Sequence, residues 1–509
     1  MDDHRLDAEL DSARTATQSR RIQELTRRLQ SAPSRPAISP RHDSVARIPL
    51  SFAQQRLWFL EQVFDMRHAY NVCNATRLRG KLDIAALENS LSEVVHRHES
   101  LRTTFAMIGD EPCQVIDRPR PVHLELLDLS ALPAASRDER VSARMQQDIE
   151  TRFALETGPL MRASLLRISE HEHALLITFH HIVTDGWSNQ VLWKELAALY
   201  PAYCTGTTPI LPELKFQYAD FAIWERERFQ GALLERQLAY WLDHLRLAPA
   251  HLNLPTDRPR PPVQSHKGAA HSFDLAAQLA APLRAIAMRN NATIYMLLLS
   301  AFLTVLYRWS GETDIVVGST VSGGRLQSGT EHLMGLFVNT LALRADLSGS
   351  PPFSTLLKRI KRVTLGALAH ADMPFQRIVQ ELRPPRNLAR QPIFQVEFTL
   401  QISTNMLWRR REFQASGFKF AAGTGFVVGG LEVEPLPQRH SSSKFDLCCT
   451  LYEKSDGGYA GLMEYAADLF DPGTMNAAAA SFQYVLESIA ADQEILIGNV
   501  PMIDLPRSC

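Results

Sequence analysis

The apolar run Ala174–Phe179, A-L-L-I-T-F, is the feature that most constrains the fold of this chain. Side chains alternate between the two faces of an extended strand, and here both faces are apolar apart from one threonine. A strand of this kind belongs in the middle of a sheet that is covered on both sides. The segment V-L-W-K-E-L-A-A-L-Y, residues 191–200, follows after a short loop and predicts a helix. Strand, loop and helix in this order predict an α/β fold.

The length of the chain predicts a second α/β lobe. The sequence has 509 residues, whereas single hydrophobic cores stop growing at roughly 250–300 residues. A second alternation of helix and strand follows a proline-rich tract at 252–262, with an apolar helix from Ala292 and a strand from Asp314. We therefore predict an N-terminal lobe at 46–225 and a C-terminal lobe at 226–509.

Two helices have clear boundary signals in the sequence. Asp83 predicts the N-cap of one of them. The buried face of that helix is expected to carry Leu87, Leu91, Val94 and Val95. The second, at 292–307, is nearly all apolar but shorter than the about 20 residues that span a bilayer. It predicts a buried core helix between Asn290-Asn291 and Gly311, which are ordinary cap residues.

Composition and charge exclude several classes of function. The hydrophobic fraction of 45%, the charged fraction of 21% and the formal net charge of -1 are typical of a globular protein without a field that attracts nucleic acid or an anionic membrane. The 6 cysteines show no metal-ligand spacing. The first residues lack a secretory signal pattern, so we expect a cytoplasmic protein, monomeric as an isolated domain. Residues 1–45 predict a charged helical leader and a linker, either solvated or used for docking.

The stretch H-H-I-V-T-D-G, residues 180–186, stands at the end of the predicted central strand. Neighbouring side chains on a strand face opposite ways, so one of His180 and His181 faces the core and the other faces a cleft. This geometry argues against a metal site made by the pair. Asp185 can hold the turn or pair with an arginine, and Gly186 permits close approach of a ligand. A neutral imidazole there can accept a proton from an amine or hydroxyl that attacks an acyl group.

The same stretch resembles the HHxxxDG signature of the condensation domains of nonribosomal peptide synthetases. Further segments are similar to the other motifs of that family, in the same order, so that the resemblance covers about residues 50 to 505. These segments are S-F-A-Q-Q-R-L-W-F-L (51–60), R-H-E-S-L-R-T-T-F (97–105), Y-A-D-F-A-I-W (218–224), G-L-F-V-N-T-L-A-L-R (335–344), H-A-D-M-P-F (370–375) and R-Q-P-I-F-Q-V (390–396). Such an ordered set is far more specific than any one motif.

The resemblance implies a fold and a reaction. The fold is a pair of chloramphenicol-acetyltransferase-like lobes in a V-shaped pseudo-dimer with a central tunnel, and two segments of the second lobe cross to the first. The reaction is amide formation between an acyl thioester donor and the α-amine of an aminoacyl thioester. The acceptor is held by the phosphopantetheine arm of a peptidyl carrier protein, and the donor is acyl-CoA or an upstream carrier protein. No permanently bound cofactor is implied.

The resemblance also assigns roles to the residues of the histidine motif. His181 would accept a proton from the attacking amine or hold the tetrahedral intermediate, with His180 as its support. Asp185 would pair with an arginine, for which Arg97 is the first candidate and Arg102 the second. The backbone N–H of Gly186 would face the developing oxyanion.

Other residues of the motifs have less specific expectations. Trp224 and Tyr218 are expected to pack where the lobes meet, rather than to contact substrate. Asn339 is either a packing residue or a hydrogen-bonding residue near the active centre. Arg56, Trp58 and Phe375 are expected to support the fold.

One segment departs from the family pattern. Residues 401–435 are longer than usual in this family, and Trp408 there is followed directly by Arg409, Arg410 and Arg411. These arginines predict a solvated loop or, alternatively, a contact with a phosphate.

Several functional alternatives stay open at this stage. A chain that begins at Met1 with a condensation domain predicts a starter domain that N-acylates the first amino acid with a fatty acyl group from acyl-CoA, and so a role in lipopeptide biosynthesis. The alternative is an internal elongation domain with an upstream peptidyl-carrier donor. Heterocyclising relatives carry aspartates in place of the histidines, and recruiting modules usually lose the motif, so both are disfavoured. Epimerisation and ester formation on small alcohols are the remaining enzymatic alternatives.

Overall fold

The computed structural model describes residues 37–42, 47–63, 68–385, 387–401, 419–420, 425–437, 442–454 and 456–503. Most of the predicted leader at 1–45, and the segment from Trp408 to Arg411, lie outside these residues. Residues 39–509 form one structural unit, which contains both large sheets.

The described residues form the following strands and α-helices. The strands are β1 (Ile48–Pro49), β2 (Asn71–Arg79), β3 (Thr103–Ile108), β4 (Glu111–Ile116), β5 (Glu125–Asp128), β6 (Met161–Ser169), β7 (Glu172–His180), β8 (Gly268–Leu275), β9 (Asp314–Val321), β10 (Asn339–Asp346), β11 (Val396–Gln401), β12 (Lys419–Phe420), β13 (Phe426–Val428), β14 (Leu431–Pro435), β15 (Leu447–Glu453) and β16 (Tyr459–Ala466). The helices are α1 (Phe52–Val63), α2 (Ile84–Arg97), α3 (Ala134–Glu150), α4 (Gly186–Thr205), α5 (Tyr218–Arg228), α6 (Gly231–His244), α7 (Ala277–Arg289), α8 (Ile294–Ser310), α9 (Phe353–Ala369), α10 (Phe375–Leu382) and α11 (Pro472–Ala491).

The first large sheet has the strand order β12-β13-β14-β2-β7-β6-β5, and β7 lies near its centre. Leu175, Ile177 and Phe179 of β7 pack in one hydrophobic cluster with residues of α2 and α4. Ala174 and Leu176 pack in another with residues of α3. Both faces of β7 are therefore buried, and the prediction of a central strand is confirmed.

The prediction for helix α2 is confirmed as well. The carboxylate of Asp83 accepts a hydrogen bond from Ala86 N, and the four predicted apolar residues of the helix are buried.

The second large sheet has the strand order β10-β9-β11-β15-β16-β8. Helix α8 lies in the hydrophobic core beside this sheet, as predicted, and every residue from Met296 to Leu306 is buried. Gly311 closes the helix with a φ of 73°, but its N-cap is Thr293 rather than Asn290 or Asn291, because Asn290 instead ends α7. Among the described helices no single one has the length and hydropathy to cross a membrane, and α7 and α8 pass that test only together, across a 106° bend.

The chain crosses between the two large sheets. Strands β12, β13 and β14 follow β11 of the second sheet, yet β14 pairs with β2 of the first, with Val433 opposite Leu78. The next strand, β15, pairs with β11 again. The connection from β14 to β15 thus passes from one sheet to the other. Two sheets with helices packed on them confirm the predicted α/β class, while the lobe boundary at 225/226 stays a prediction.

Candidate active site

The end of β7 and the start of α4 build the candidate site. His180 is the last residue of β7, and His181–Val183 form one turn of 3-10 helix. The backbone N–H of His180 donates to Leu160 O at 3.0 Å, whereas that of His181 donates to Tyr70 O at 2.8 Å. Because the chain turns out of the strand between the two residues, their side chains lie in different surroundings.

The ring of His181 is recessed, and its hydrogen bonding fixes the position of its proton. Its Nδ1 lies 2.7 Å from the carbonyl oxygen of Thr184. A carbonyl only accepts, so Nδ1 carries the proton and Nε2 carries a lone pair. The side chain is half-buried. Burial and, secondarily, the positive charge of Lys444 lower the pKa of His181 to about 4, against the hydrogen bond to Thr184 and the charge of Asp185.

His180 lies behind His181 in a buried acidic and aromatic environment. It is 2% exposed, and its Nδ1 accepts a hydrogen bond from Ile182 N at 3.2 Å. Its Nε2 lies 3.5 Å from Oε1 of Glu61, a buried residue of α1 whose other carboxylate oxygen lies 3.6 Å from Arg152. The ring edge faces Phe153. Both ring nitrogens of this histidine therefore face protein groups.

Asp185 is the centre of a buried network that joins the two halves of the chain. Its Oδ1 accepts from Ser188 N at 2.8 Å and from Ser188 Oγ at 2.7 Å, which caps α4. Its Oδ2 accepts from Phe337 N at 3.1 Å. The arginine that pairs with it is Arg325, at 2.8 Å, and the side chains of the pair are only 5% and 0% exposed.

The prediction that Arg97 or Arg102 pairs with Asp185 is therefore wrong. Arg97 pairs with Glu195 of α4 at 3.1 Å, and Glu195 also lies 3.1 Å from His98. Arg102 donates to the carbonyl oxygen of Asp117 at 2.5 Å. Arg97 and Arg102 thus bond to groups other than Asp185. Arg325 instead comes from a turn in the second half of the chain, and this turn lies against the start of α4.

Gly186 is the first residue of α4, and it is exposed. A Cβ added to it would have no atom within 4 Å, so the space beside it is open. The first backbone N–H groups of a helix have no partner within the helix and favour negative charge. This end of α4 thus offers N–H donors beside the histidine turn.

Two motif residues hold other motifs in place. The hydroxyl of Tyr218 donates to Leu336 O at 2.7 Å and lies 2.7 Å from Ser51 Oγ, so three of the segments meet there. Asn339 donates to Ala371 O at 2.9 Å and to Met373 O at 2.6 Å, and accepts from Phe375 N at 3.2 Å. All of these partners are protein groups.

Trp224 and Arg56 contact other residues of the motifs. Trp224 is half-buried, its ring packs against Phe221, and the guanidinium of Arg228 lies over it at 5.1 Å. Arg56 donates to Thr340 Oγ1 at 3.3 Å and lies over the ring of Phe375.

Three residues near the site have no counterpart among the sequence predictions. Arg325 stands in S-G-G-R, directly after the strand that the sequence does predict, but nothing in its local pattern points to Asp185. Glu61 lies two residues before the end of helix α1, and Lys444 lies in the connection between the sheets. The Nζ of Lys444 lies 4.8 Å from the ring centre of Tyr70, whose carbonyl holds the backbone of His181.

Comparison with known proteins identifies the class to which this site and fold belong. The family model of the condensation domain matches residues 45–504. The chain therefore belongs to the condensation-domain family of nonribosomal peptide synthetases, whose characteristic activity is amide-forming acyl transfer.

Particular relatives agree with this assignment. The chain is 42% identical to one of the linear gramicidin synthase subunits of Brevibacillus parabrevis over 458 residues, which is 90% of this chain and 6% of that protein. It is 37% identical to a phosphinothricin tripeptide synthetase of Streptomyces viridochromogenes, over 92% of this chain and 41% of that protein. The chain thus spans only part of the length of the curated relatives that it matches.

Solved structures agree on the fold. The X-domain from teicoplanin biosynthesis has a TM-score of 0.80 and 31% identity, and the match covers 92% of this chain and 100% of that one. The starter condensation domain of rhizomide synthetase has a TM-score of 0.73 and 21% identity, over 90% of this chain and 98% of that one. The chloramphenicol-acetyltransferase-like fold expected from the sequence is confirmed by these matches.

Proposed function

We propose that this domain joins a donor acyl thioester to the α-amine of an aminoacyl thioester carried by a peptidyl carrier protein, and that His181 Nε2 contacts the reacting amine. The observation that carries the proposal is the hydrogen bond from His181 Nδ1 to Thr184 O, which leaves the lone pair on Nε2 of a half-buried ring. His180, Glu61 and the Asp185 network are positioning groups behind that ring.

The chemistry needs only one proton transfer. The amine nitrogen attacks the thioester carbonyl carbon, the C–N bond forms and the C–S bond breaks. The sulfur of the pantetheine arm leaves as a thiol with the proton that the nitrogen gives up. A carbonyl oxygen that turns negative in the tetrahedral intermediate would be met by the N–H groups at the start of α4, beginning with Gly186.

The low pKa of His181 favours one of two roles for it. An imidazole with a pKa of about 4 is neutral at pH 7 but too weak a base to hold a proton taken from the ammonium form of the α-amine, whose pKa is ~8. Its contribution is to accept a hydrogen bond from the amine, which orients the lone pair of the nitrogen at the carbonyl carbon. Once the nitrogen becomes cationic in the intermediate, it is acidic enough to pass its proton through Nε2 to the leaving sulfur.

The donor distinguishes two forms of the proposal. A starter domain takes a fatty acyl group from acyl-CoA, and an elongation domain takes an acyl group from an upstream carrier protein. The solved starter domain of rhizomide synthetase is 21% identical to this chain, so it supports the fold and not the donor. Both forms belong to the proposal, and a comparison of donors distinguishes them.

A second candidate function is the recruitment of a partner protein. It is favoured by the 31% identity and TM-score of 0.80 to the teicoplanin X-domain, which has been solved in a complex with OxyB. Amide formation that depends on His181 would contradict it.

The test is the intact mass of a carrier protein loaded with an aminoacyl group, incubated with this chain and with acyl-CoA or acyl-carrier donors. We expect the mass of the acceptor to rise by one acyl group, and His181→Ala to convert far less of the acceptor in the same time. A rise with acyl-CoA alone supports the starter form, and a rise only with carrier-bound donors supports the elongation form. The proposal fails if every donor and acceptor pair gives no rise, or if His181→Ala gives the same rise.

A further inference from the structure

Helix α1 contacts the histidine turn through two buried side chains of one face. Gln54 Nε2 donates to the carbonyl oxygen of Ile182 at 3.4 Å, and Oε1 of Glu61 lies 3.5 Å from Nε2 of His180. Because these two positions of α1 are seven residues apart, they lie on the same side of the helix. Glu61 thus brings a carboxylate to a ring that takes no part in the proton transfer.

Glu61 and His180 face each other in a buried contact. Their side chains are only 4% and 3% exposed. Among the described residues, neither Glu61 Oε1 nor His180 Nε2 has a hydrogen-bonding partner elsewhere. Arg152, which is largely exposed, approaches only the other carboxylate oxygen, at 3.6 Å. A buried carboxylate oxygen without a donor costs free energy, so a proton on His180 Nε2 stabilises the contact.

The hydrogen bonding of His180 fixes which of its nitrogens carries the proton. Its Nδ1 accepts from the backbone N–H of Ile182 at 3.2 Å, so Nδ1 holds a lone pair and Nε2 holds the proton. The opposite tautomer would set one N–H against another at Ile182, and a lone pair against the carboxylate of Glu61. Glu61 therefore stabilises the one tautomer of His180 that can accept the N–H of Ile182.

The backbone of His181 is held on both sides by this arrangement. In the peptide group that follows it, the N–H of Ile182 donates to His180, and the carbonyl of His181 accepts from Thr184 N at 3.2 Å. In the peptide group that precedes it, His181 N donates to Tyr70 O at 2.8 Å. Both backbone torsions of His181 are thereby fixed, and the direction of its side chain depends on them.

We propose that Glu61 is a positioning residue of the amide-forming reaction, because it holds His180 in the Nε2–H tautomer and His180 in turn sets the backbone torsion of His181. The proposal rests on the proposed function and specifies the step by which Glu61, without touching substrate, controls the reacting imidazole. When the carboxylate is lost, the N–H of Ile182 loses its acceptor and His181 is released. The cost falls on kcat rather than on carrier binding, because the reacting groups are misplaced.

Kinetics of three variants test the role of the carboxylate. Glu61→Leu should lower kcat roughly 10- to 100-fold, with KM for the aminoacyl carrier protein within about threefold of wild type. Glu61→Gln keeps an oxygen that can accept from Nε2–H, so it should recover most of that loss. The matched control is Glu93→Leu, which removes a carboxylate from a solvent-exposed contact with His96 at 3.4 Å and should keep the wild-type kcat.

A double-variant cycle tests whether Glu61 acts through His180. In the background of His180→Leu, the further change Glu61→Leu should lower kcat by less than about threefold, because residues of one network are not additive. The tautomer is measured directly from the 15N shifts of the histidine ring nitrogens, assigned by comparison with His180→Leu. We expect a protonated Nε2 and an unprotonated Nδ1 for His180 in the wild-type protein, so this test does not depend on the folding of any Glu61 variant.

The results that overturn the inference differ from those that overturn the function. A protonated Nδ1 of His180 in the wild-type protein, a wild-type kcat in Glu61→Leu, a Glu61→Gln variant as slow as Glu61→Leu, or losses that multiply in the double variant each overturn the inference while amide formation stands. Absence of product from the wild-type protein with every donor and acceptor pair overturns the proposed function, and the inference with it.

Discussion

Replacing Asp185 by alanine should destabilise the protein strongly, because Arg325 would be left as a buried charge. The pair is almost completely buried, at 0% and 5% side-chain exposure. Breaking a buried ion pair by removing one partner costs about 3–5 kcal/mol. Loss of the N-cap of α4, where Ser188 N donates at 2.8 Å, adds about 1 kcal/mol. We therefore expect a loss of roughly 4–6 kcal/mol in the free energy of unfolding.

Urea unfolding followed by tryptophan fluorescence measures this loss. The double variant Asp185→Ala/Arg325→Leu removes both charges, so it should be more stable than Asp185→Ala alone. The matched control is Asp138→Ala, which removes a carboxylate that is 69% exposed and pairs with Arg77. Its cost should stay within about 1 kcal/mol. A wild-type unfolding midpoint for Asp185→Ala, or a double variant that is no more stable than the single one, would refute the reasoning.

Three further predictions concern residues around the histidine turn. His181→Ala should keep the wild-type melting temperature but lower kcat by about 10²–10⁴-fold, and a large drop in melting temperature would contradict a role at the reacting atoms. Lys444→Met should raise the pKa of His181 from about 4 towards its usual value, since the positive charge of Lys444 is one cause of the lowered pKa. Activity falls as His181 becomes protonated. The acid limb of the kcat/KM profile should therefore move to higher pH in Lys444→Met but not in Lys444→Arg. An unmoved limb in the methionine variant would contradict the effect of the Lys444 charge on the pKa of His181. Asn339→Leu leaves two carbonyls and one N–H without their partner, and each costs about 1–3 kcal/mol. The melting temperature should therefore fall clearly. An unchanged melting temperature would show that water replaces the amide.

The parts of the fold that were predicted correctly depend on local patterns. The central strand, the helix that begins after Asp83 and the core helix up to Gly311 each follow from apolar spacing and cap residues within about twenty positions. The N-cap of α8 was predicted wrongly because Asn290, Asn291 and Thr293 are all cap residues, and only packing decides between them. The family resemblance of the motifs went further than these patterns, since it implied the fold and the place of the histidines.

The sequence by itself determined the α/β class, the family and the position of the histidine pair at a strand end, because periodicity, caps and motifs are written in neighbouring residues. Only the tertiary structure decided that Asp185 pairs with Arg325 and that the charge of Lys444 acts on His181. Arg325 is 140 residues away from its partner along the chain. Such contacts join distant parts of the chain, and their geometry depends on the packing of whole elements, which no local pattern encodes.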